Sequence, residues 1–443
     1  MAMSHRGIIK RLERILCVTI VALKLYVLYL TWGRVQGFDA GGWLETFRVT
    51  HWFETLPPPR SLLASYHPPL SYLLTRLILG VVPNEAEASQ VLSSFALLGA
   101  FFGLRMALKK IGCLGSVVGL WLLYGGFSLP LFVWLAVETG YDGLVLNWFM
   151  LALAVSISLF WWPVRGKYWL NVRTLAKLLA LVAILVAGLY TKYSGLLAFA
   201  LPSMIIVIRR GLRAWAKESF LPLSVALIGL AIVAPFYYSR YYKVEHEWMP
   251  AAMEWQKNRE LTVTRAKRDA APLDFVAHML RIPTESVADI QRPVMDSFVN
   301  SIWFHTWKRD KWLGKQPEPS LSVSNFYSRV FPDVLLVGSL AFLLKPRQGR
   351  RDWRHLGWLL LSITLMFSVA SLGFAWKYPI WGWRVCNAKY MAAAILWVAF
   401  ATGMGFSQLS LSVRSSKVSR MLEWIAVGTL WVFVVVNHLL PVY

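Results

Sequence analysis

Apolar runs of about 20 residues recur along the sequence, divided by short polar or basic stretches, at the length a helix needs to cross a bilayer. They lie near Ile15–Trp32, Ala88–Leu108, Leu114–Leu131, Gly143–Trp162, Thr174–Tyr190, Tyr193–Ile208, Ser219–Tyr238, Val330–Leu344, Leu356–Phe374, Tyr390–Phe406 and Met421–Leu440. The pattern predicts an all-α polytopic membrane protein with about 11 transmembrane helices. A further stretch, His67–Val82, is apolar enough to cross. Pro68-Pro69 lacks amide donors and restricts the residue before it, so a helix starts there more readily than it passes through. We read this stretch as an interfacial helix.

Basic residues decide the orientation. With His67–Val82 in the interface, the clusters Arg105/Lys109/Lys110, Arg165/Lys167/Arg173, Arg209/Arg210/Arg213/Lys217, Lys345/Arg347/Arg350/Arg351/Arg354 and Arg414/Lys417/Arg420 all fall inside, as the positive-inside rule prefers. If it crossed, every later basic loop would be inverted. The long segment Ser239–Arg329 is no objection, because loops beyond about 60 residues translocate largely regardless of charge. The expected organisation is an N-terminal membrane module over 1–238 with a first outer loop at 33–87, an extracytoplasmic cap at 239–329, and a C-terminal membrane module over 330–443.

Composition fits lipid as the solvent: 57% of the 443 residues are hydrophobic and the mean hydropathy is +0.50. The net charge of +23 would suggest nucleic acid if it formed one face, but Lys and Arg sit in short clusters between apolar runs, which excludes that class. Cys17, Cys113 and Cys386 have neither paired nor metal-ligand spacing, so neither a disulfide framework nor a zinc site is expected. Ile15–Trp32 follows Arg6, Lys10, Arg11 and Arg14 with no small-residue cleavage pattern, and reads as a retained signal anchor with a cytoplasmic N-terminus. The sequence has no Asn-x-Ser/Thr site, which suits a bacterial inner membrane.

In this orientation the chemistry-bearing residues collect on the non-cytoplasmic side, whereas the cytoplasmic loops are brief and basic. Asp39 follows the first span; it suits a general base with a raised pKa near a low-dielectric boundary, or a helix N-cap for Gly41–Phe53. His67, in Tyr66-His67-Pro68-Pro69-Leu70, suits phosphate binding or acceptor orientation, or a structural role. Glu138, Tyr141 and Asp142 open the fourth span, where acidic residues also complement the helix dipole. Lys192, in the tight turn Tyr190–Gly195, breaks the charge rule and needs a partner, either a lipid phosphate or a snorkelling position. Trp376–Arg384 and Lys389-Tyr390 combine cations with aromatics, either as an interfacial belt or as a surface for sugar rings and phosphate. Lys24, within the first span, is expected to face the bundle, with no role assigned.

In this order the residues resemble those of the GT-C membrane glycosyltransferases of the protein O-mannosyltransferase and aminoarabinose transferase group. The resemblance covers most of the chain in layout and rests on Asp39, the Tyr66–Leu70 motif, Glu138, the Thr191–Gly195 turn and Lys389-Tyr390. It implies a GT-C fold, a polyprenyl-phosphate sugar donor, and a protein, lipid or glycan acceptor. It also implies Asp39 as catalytic base, His67 in the interfacial part of the site, and Lys192 and Lys389 near the donor phosphate. Arg384 is expected to join these two lysines in offsetting charge on the departing phosphate. No cofactor is required, and a divalent metal is compatible. The chain departs from the family in having Asp39-Ala40 where relatives often show Asp-Glu, which moves or removes the second carboxylate, for instance to Glu45. Lys389 stands where arginine is common and lacks its planar two-donor fork. The main alternative from another class is a transporter or flippase, which calls for polar groups near the midplane and broken helices. An outer-face glycan ligase or polymerase is the alternative among enzymes.

Overall fold

The computed structural model describes residues 5–37, 40–50, 56–59, 61–62, 64–162, 171–250, 259–280, 302, 306–307, 318–344, 351–377, 391–413 and 415–439. Among these the ordered elements are all helical. Among the described residues nine helices are long and apolar enough to cross a membrane: Arg11–Thr31, Glu85–Lys110, Asp142–Phe160, Val172–Thr191, Tyr193–Arg210, Phe220–Glu245, Asp352–Lys377, Ala392–Ser412 and Ser416–Leu439. The protein is a polytopic membrane protein.

Two expected spans differ in form. Leu114–Leu131 is not one helix but a series: an α-turn at Val117–Leu120, a π-segment at Trp121–Gly125, a 3₁₀ turn at Gly126–Ser128 and a short α-helix at Pro130–Leu135. The Gly125-Gly126 pair and Pro130, which has no amide proton to give, account for the break. Val330–Leu344 is the second half of a longer helix, Glu318–Leu344, with Pro332 inside it. The stretch after His67 forms the helix Leu70–Leu79, ten residues or about 15 Å, half of a hydrocarbon core. Of the Ser239–Arg329 cap, residues 251–258, 281–301, 303–305 and 308–317 lie outside the described residues; the helical elements described there are the continuation of the Phe220 helix to Glu245, the helices Arg259–Ala270 and Pro272–Met279, and the start of the Glu318 helix.

The chain forms two compact units. The first comprises Met1–Thr31, Gly112–Leu135 and Arg259–Tyr443, the second Trp32–Ile111 and Ala136–Asn258. In the first, the broken segment is held by side chains from elsewhere in that unit. Lys24 Nζ donates to the carbonyls of Phe127 at 3.1 Å and Phe132 at 3.4 Å, taking acceptors that the break removes from the helical ladder. Trp121 Nε1 donates to the Ala426 carbonyl at 3.2 Å. The Ala392–Ser412 helix approaches the broken segment at Gly403, where an added Cβ would come within 2.9 Å of Val118 Cα.

In the second unit the Glu85–Lys110 and Asp142–Phe160 helices cross in near backbone contact. Gly99 faces the Asn147 side chain, and a Cβ on Gly103 would lie 3.1 Å from the Met150 carbonyl. Small residues at this four-residue spacing let membrane helices approach without side chains between them. Leu92, Ala96 and Leu144 form a buried cluster there, against which Leu74 and Ile78 of the Leu70–Leu79 helix and Trp148 pack.

Candidate active site

The candidate site is built in the second unit, and its centre is Tyr141, the residue preceding the Asp142–Phe160 helix. The loop Ala136–Tyr141 is fastened to the first turns of the Glu85–Lys110 helix by a row of short polar side chains. Ser93 Oγ donates to the Glu138 carbonyl at 2.7 Å, Ser94 Oγ donates to the Ala136 carbonyl, and Ser89 Oγ accepts from Gly140 N at 3.2 Å. Gln90 reaches in two directions: Nε2 donates to the Arg34 carbonyl at 2.8 Å, while Oε1 accepts from Gly33 N at 3.0 Å. The chain leaving the first span is thereby pinned beside the loop. Thr139 N donates to the Gln36 carbonyl at 2.6 Å, and Glu138 lies over Gly37, where an added Cβ would come within 2.9 Å of Glu138 Cγ. Gly37 has φ +130°, a region that favours glycine.

The Ala40–Val49 helix begins three residues later and is amphipathic in its packing. Trp43, Leu44 and Phe47 bury themselves against Tyr72 and Tyr141, with Trp43 stacked on Phe47 at 5.2 Å between ring centres. Arg76 closes this layer, its guanidinium 4.5 Å over the Phe47 ring and donating to the Phe47 carbonyl at 2.9 Å.

His67 sits against Tyr141 on a loop held by its own carbonyls. Three consecutive carbonyls each accept a side-chain donor: Ala64 from Tyr72 Oη at 3.0 Å, Ser65 from Arg240 Nη2 at 3.0 Å, and Tyr66 from Tyr193 Oη. Burial holds the Tyr72 hydroxyl well above its ordinary pKa, so it stays a neutral donor. The His67 ring, 3% exposed, lies between Tyr66 at 4.0 Å and Tyr141 at 4.2 Å, and its Nε2 hydrogen-bonds the Tyr141 hydroxyl. Pro68 and Pro69 then deliver the chain into the Leu70–Leu79 helix, whose start is at Leu70.

Lys192 ends the Val172–Thr191 helix in an extended conformation before the next helix begins at Tyr193. The tight reversal depends on Gly195, where a Cβ would overlap the Gly188 carbonyl. The partner that Lys192 needs is in the chain itself: its Nζ is 2.6 Å from Asp142 Oδ1, with both side chains buried, and 4.4 Å above the Tyr141 ring. Asp142 is therefore an ion-pair partner as well as a first-turn helix residue. Each charge offsets part of the other's cost of leaving water.

His67, Tyr141, Asp142 and Lys192 thus form one connected cluster, and Glu138 lies three residues before Tyr141 against Gly37. Asp39, Arg384, Lys389 and Tyr390 lie outside the described residues. Among the described residues no group of three His, Cys, Asp or Glu side chains is arranged to hold a metal. Two sets of residues went unread in the sequence. Ser89, Gln90, Ser93 and Ser94 could have been found as polar residues spaced four apart inside an apolar run, which places them on one helix face. Arg240 could have been found as an arginine at the end of a span. It donates to the Pro57 and Ser65 carbonyls, is 5.5 Å from the Tyr241 ring, and has no carboxylate partner among the described residues.

No family model matches the chain, and no match was found among curated proteins. Solved structures do resemble it. The archaeal oligosaccharyltransferase AglB from Archaeoglobus fulgidus, in complex with an inhibitory peptide and a dolichol-phosphate, superposes with a TM-score of 0.50 over 97% of this chain at 13% identity. The chain has the GT-C fold. ArnT from Cupriavidus metallidurans bound to undecaprenyl phosphate aligns over 93% of the chain with a TM-score of 0.47 and 15% identity. The chain spans 56% of the length of AglB and 63% of that of ArnT.

Proposed function

We propose that the protein is a membrane glycosyltransferase that moves a sugar from a polyprenyl-phosphate-linked donor to an acceptor hydroxyl on the non-cytoplasmic side. The observation that carries this reading is the buried polar cluster of the second unit, set on a GT-C fold. Segments far apart in sequence, the chain after the first span, the Tyr66–Leu70 loop, the Glu138–Asp142 loop and the Lys192 turn, meet at Tyr141. The dolichol-phosphate in the AglB structure supports the choice of an isoprenoid phosphate as the lipid carrier.

In this reading Asp39, which stands in sequence between Gly37 and the Ala40–Val49 helix, takes the proton from the acceptor hydroxyl. That oxygen attacks the anomeric carbon while the bond from this carbon to the phosphate oxygen breaks, releasing polyprenyl phosphate with inversion of configuration. His67, held by Tyr141 and by the clamped loop, orients the reacting groups. Cations offset the charge gathering on the departing phosphate, an effect strengthened where solvent is excluded. Lys192 is already neutralised by Asp142, so we assign the larger share in this unit to Arg240. Glu138, whose side chain lies over Gly37 two positions before Asp39, is the candidate to bind sugar hydroxyls. The displacement requires no cofactor and is compatible with a divalent metal.

The test is transfer in proteoliposomes supplied with lipid extract from the native membrane, read by mass analysis of the lipids. Loss of a polyprenyl-phosphate-linked sugar, with free polyprenyl phosphate appearing in equal amount, is the expected result. Release of a diphosphate would point instead to a ligase or polymerase acting on a lipid diphosphate. One observation favours a transporter as the second reading: Lys24 is buried within a span beside a broken helix, the combination transport sites use. Movement of the lipid-linked sugar across the bilayer with no covalent product would decide for it.

A further inference from the structure

The helix Pro272–Met279 belongs to the first unit and plays no part in the cluster described above. It has two apolar faces. Phe275 and Met279, four residues apart, are buried at 5% exposure each, and Phe275 packs edge-on against Trp376 with ring centres 5.7 Å apart. Leu273, Val276 and Leu280 recur at the spacing of one helical face and stand 82%, 41% and 47% exposed. An eight-residue helix with an apolar stripe left open needs something to cover it.

The level at which the helix sits identifies the cover. Trp376 is one residue from the end of the span Asp352–Lys377, so the helix seated on it lies where that span leaves the hydrocarbon. The preceding helix, Arg259–Ala270, fixes this level. Arg265 donates to the Lys377 carbonyl at 3.2 Å, Arg268 donates to the Trp376 carbonyl, and the Arg268 guanidinium is 5.0 Å from the Trp376 ring. These bonds satisfy carbonyls at the end of the span that have no partner within it. The span itself exposes Leu365, Val369, Phe374 and Trp376, the side chains of a lipid-facing surface, and the open stripe extends that surface at its upper edge. Lys267, on the turn before, is exposed and carries the charge that suits lipid phosphates.

We propose that Pro272–Met279 is an interfacial anchor, with Leu273, Val276 and Leu280 seated at the headgroup and acyl boundary of the lipid leaflet. It ties this part of the long 239–329 segment to the membrane surface at the end of the Asp352–Lys377 span, whichever side of the membrane that end occupies.

The experiment uses the full chain in nanodiscs of phosphatidylethanolamine and phosphatidylglycerol, with Cys17, Cys113 and Cys386 changed to serine and an environment-sensitive nitrobenzoxadiazole label at Leu273→Cys or Asp274→Cys. The expected result is blue-shifted emission at position 273, quenched by lipids carrying a nitroxide near the headgroup, and water-like, unquenched emission at 274. Water-like emission at 273 in a monodisperse sample overturns the proposal. If the cysteine-free chain does not fold, a benzophenone amino acid at position 273 of the chain with its natural cysteines serves instead. A lipid adduct on illumination supports the anchor, and crosslinking to protein alone contradicts it. Neither readout involves sugar transfer, so its failure leaves the glycosyltransferase reading untouched.

Discussion

Two residue pairs carry most of the argument about the site. The Lys192–Asp142 bridge is buried on both sides and only 2.6 Å long. Removing one member leaves the other as an uncompensated charge, at a cost of about 3–5 kcal/mol. Lys192→Met and Asp142→Asn are each expected to lower unfolding stability in mixed micelles by about that much. The double variant Lys192→Met/Asp142→Asn should lose less than the sum of the two, because it leaves no charge stranded. An additive double variant would show that the bridge is not the reason these residues matter. Tyr141→Phe removes a hydrogen bond to the buried His67 ring, a change of about 1–3 kcal/mol. Sugar transfer should fall about tenfold or more with little change in protein abundance, measured as turnover per folded molecule; unchanged turnover would detach His67 from the chemistry. At this scale His67, Asp142 and Lys192 were legible because each is a polar residue in an apolar context. Their pairings were not, since Lys192 and Asp142 stand 50 positions apart and the sequence offered a lipid phosphate as an equally good partner for the lysine.

Among the elements, close approach of backbones sets the geometry that the site inherits. Gly195→Ala would drive a methyl group into the Gly188 carbonyl, spreading the two helices that present Lys192. A lower unfolding midpoint together with weakened transfer is expected, and a Gly195→Ala protein of normal stability would contradict the close packing. The Leu70–Leu79 helix could be anticipated as a separate short element because Pro68-Pro69 marks its start. The break at Trp121–Leu135 was harder to foresee. Gly125-Gly126 and Pro130 are visible in the sequence, but glycine and proline also occur in unbroken membrane helices, and only the capping of Phe127 and Phe132 carbonyls by Lys24 shows how the break is stabilised. Lys24→Met strips those carbonyls of their donor. It should destabilise the first unit while leaving the second unit's ion pair intact, a difference that hydrogen exchange of the two units would report.

Over the whole molecule, the class of fold was the most legible feature, because the bilayer imposes a length and a composition that few other constraints resemble. The division into two units was not, since the first of them draws on both ends of the chain and on a segment between, and tertiary packing of that kind leaves no local pattern. The central claim is that an acidic residue following the first span performs the transfer for which the Tyr141 cluster is built. Its most direct test is mass analysis of lipid-linked sugars in cells lacking the protein, complemented either by the natural chain or by Asp39→Asn produced at equal abundance. The account predicts that a polyprenyl-phosphate sugar accumulates without the protein, disappears with the natural chain and persists with Asp39→Asn. Clearance of that lipid by Asp39→Asn, or no accumulation in the protein's absence, would contradict it.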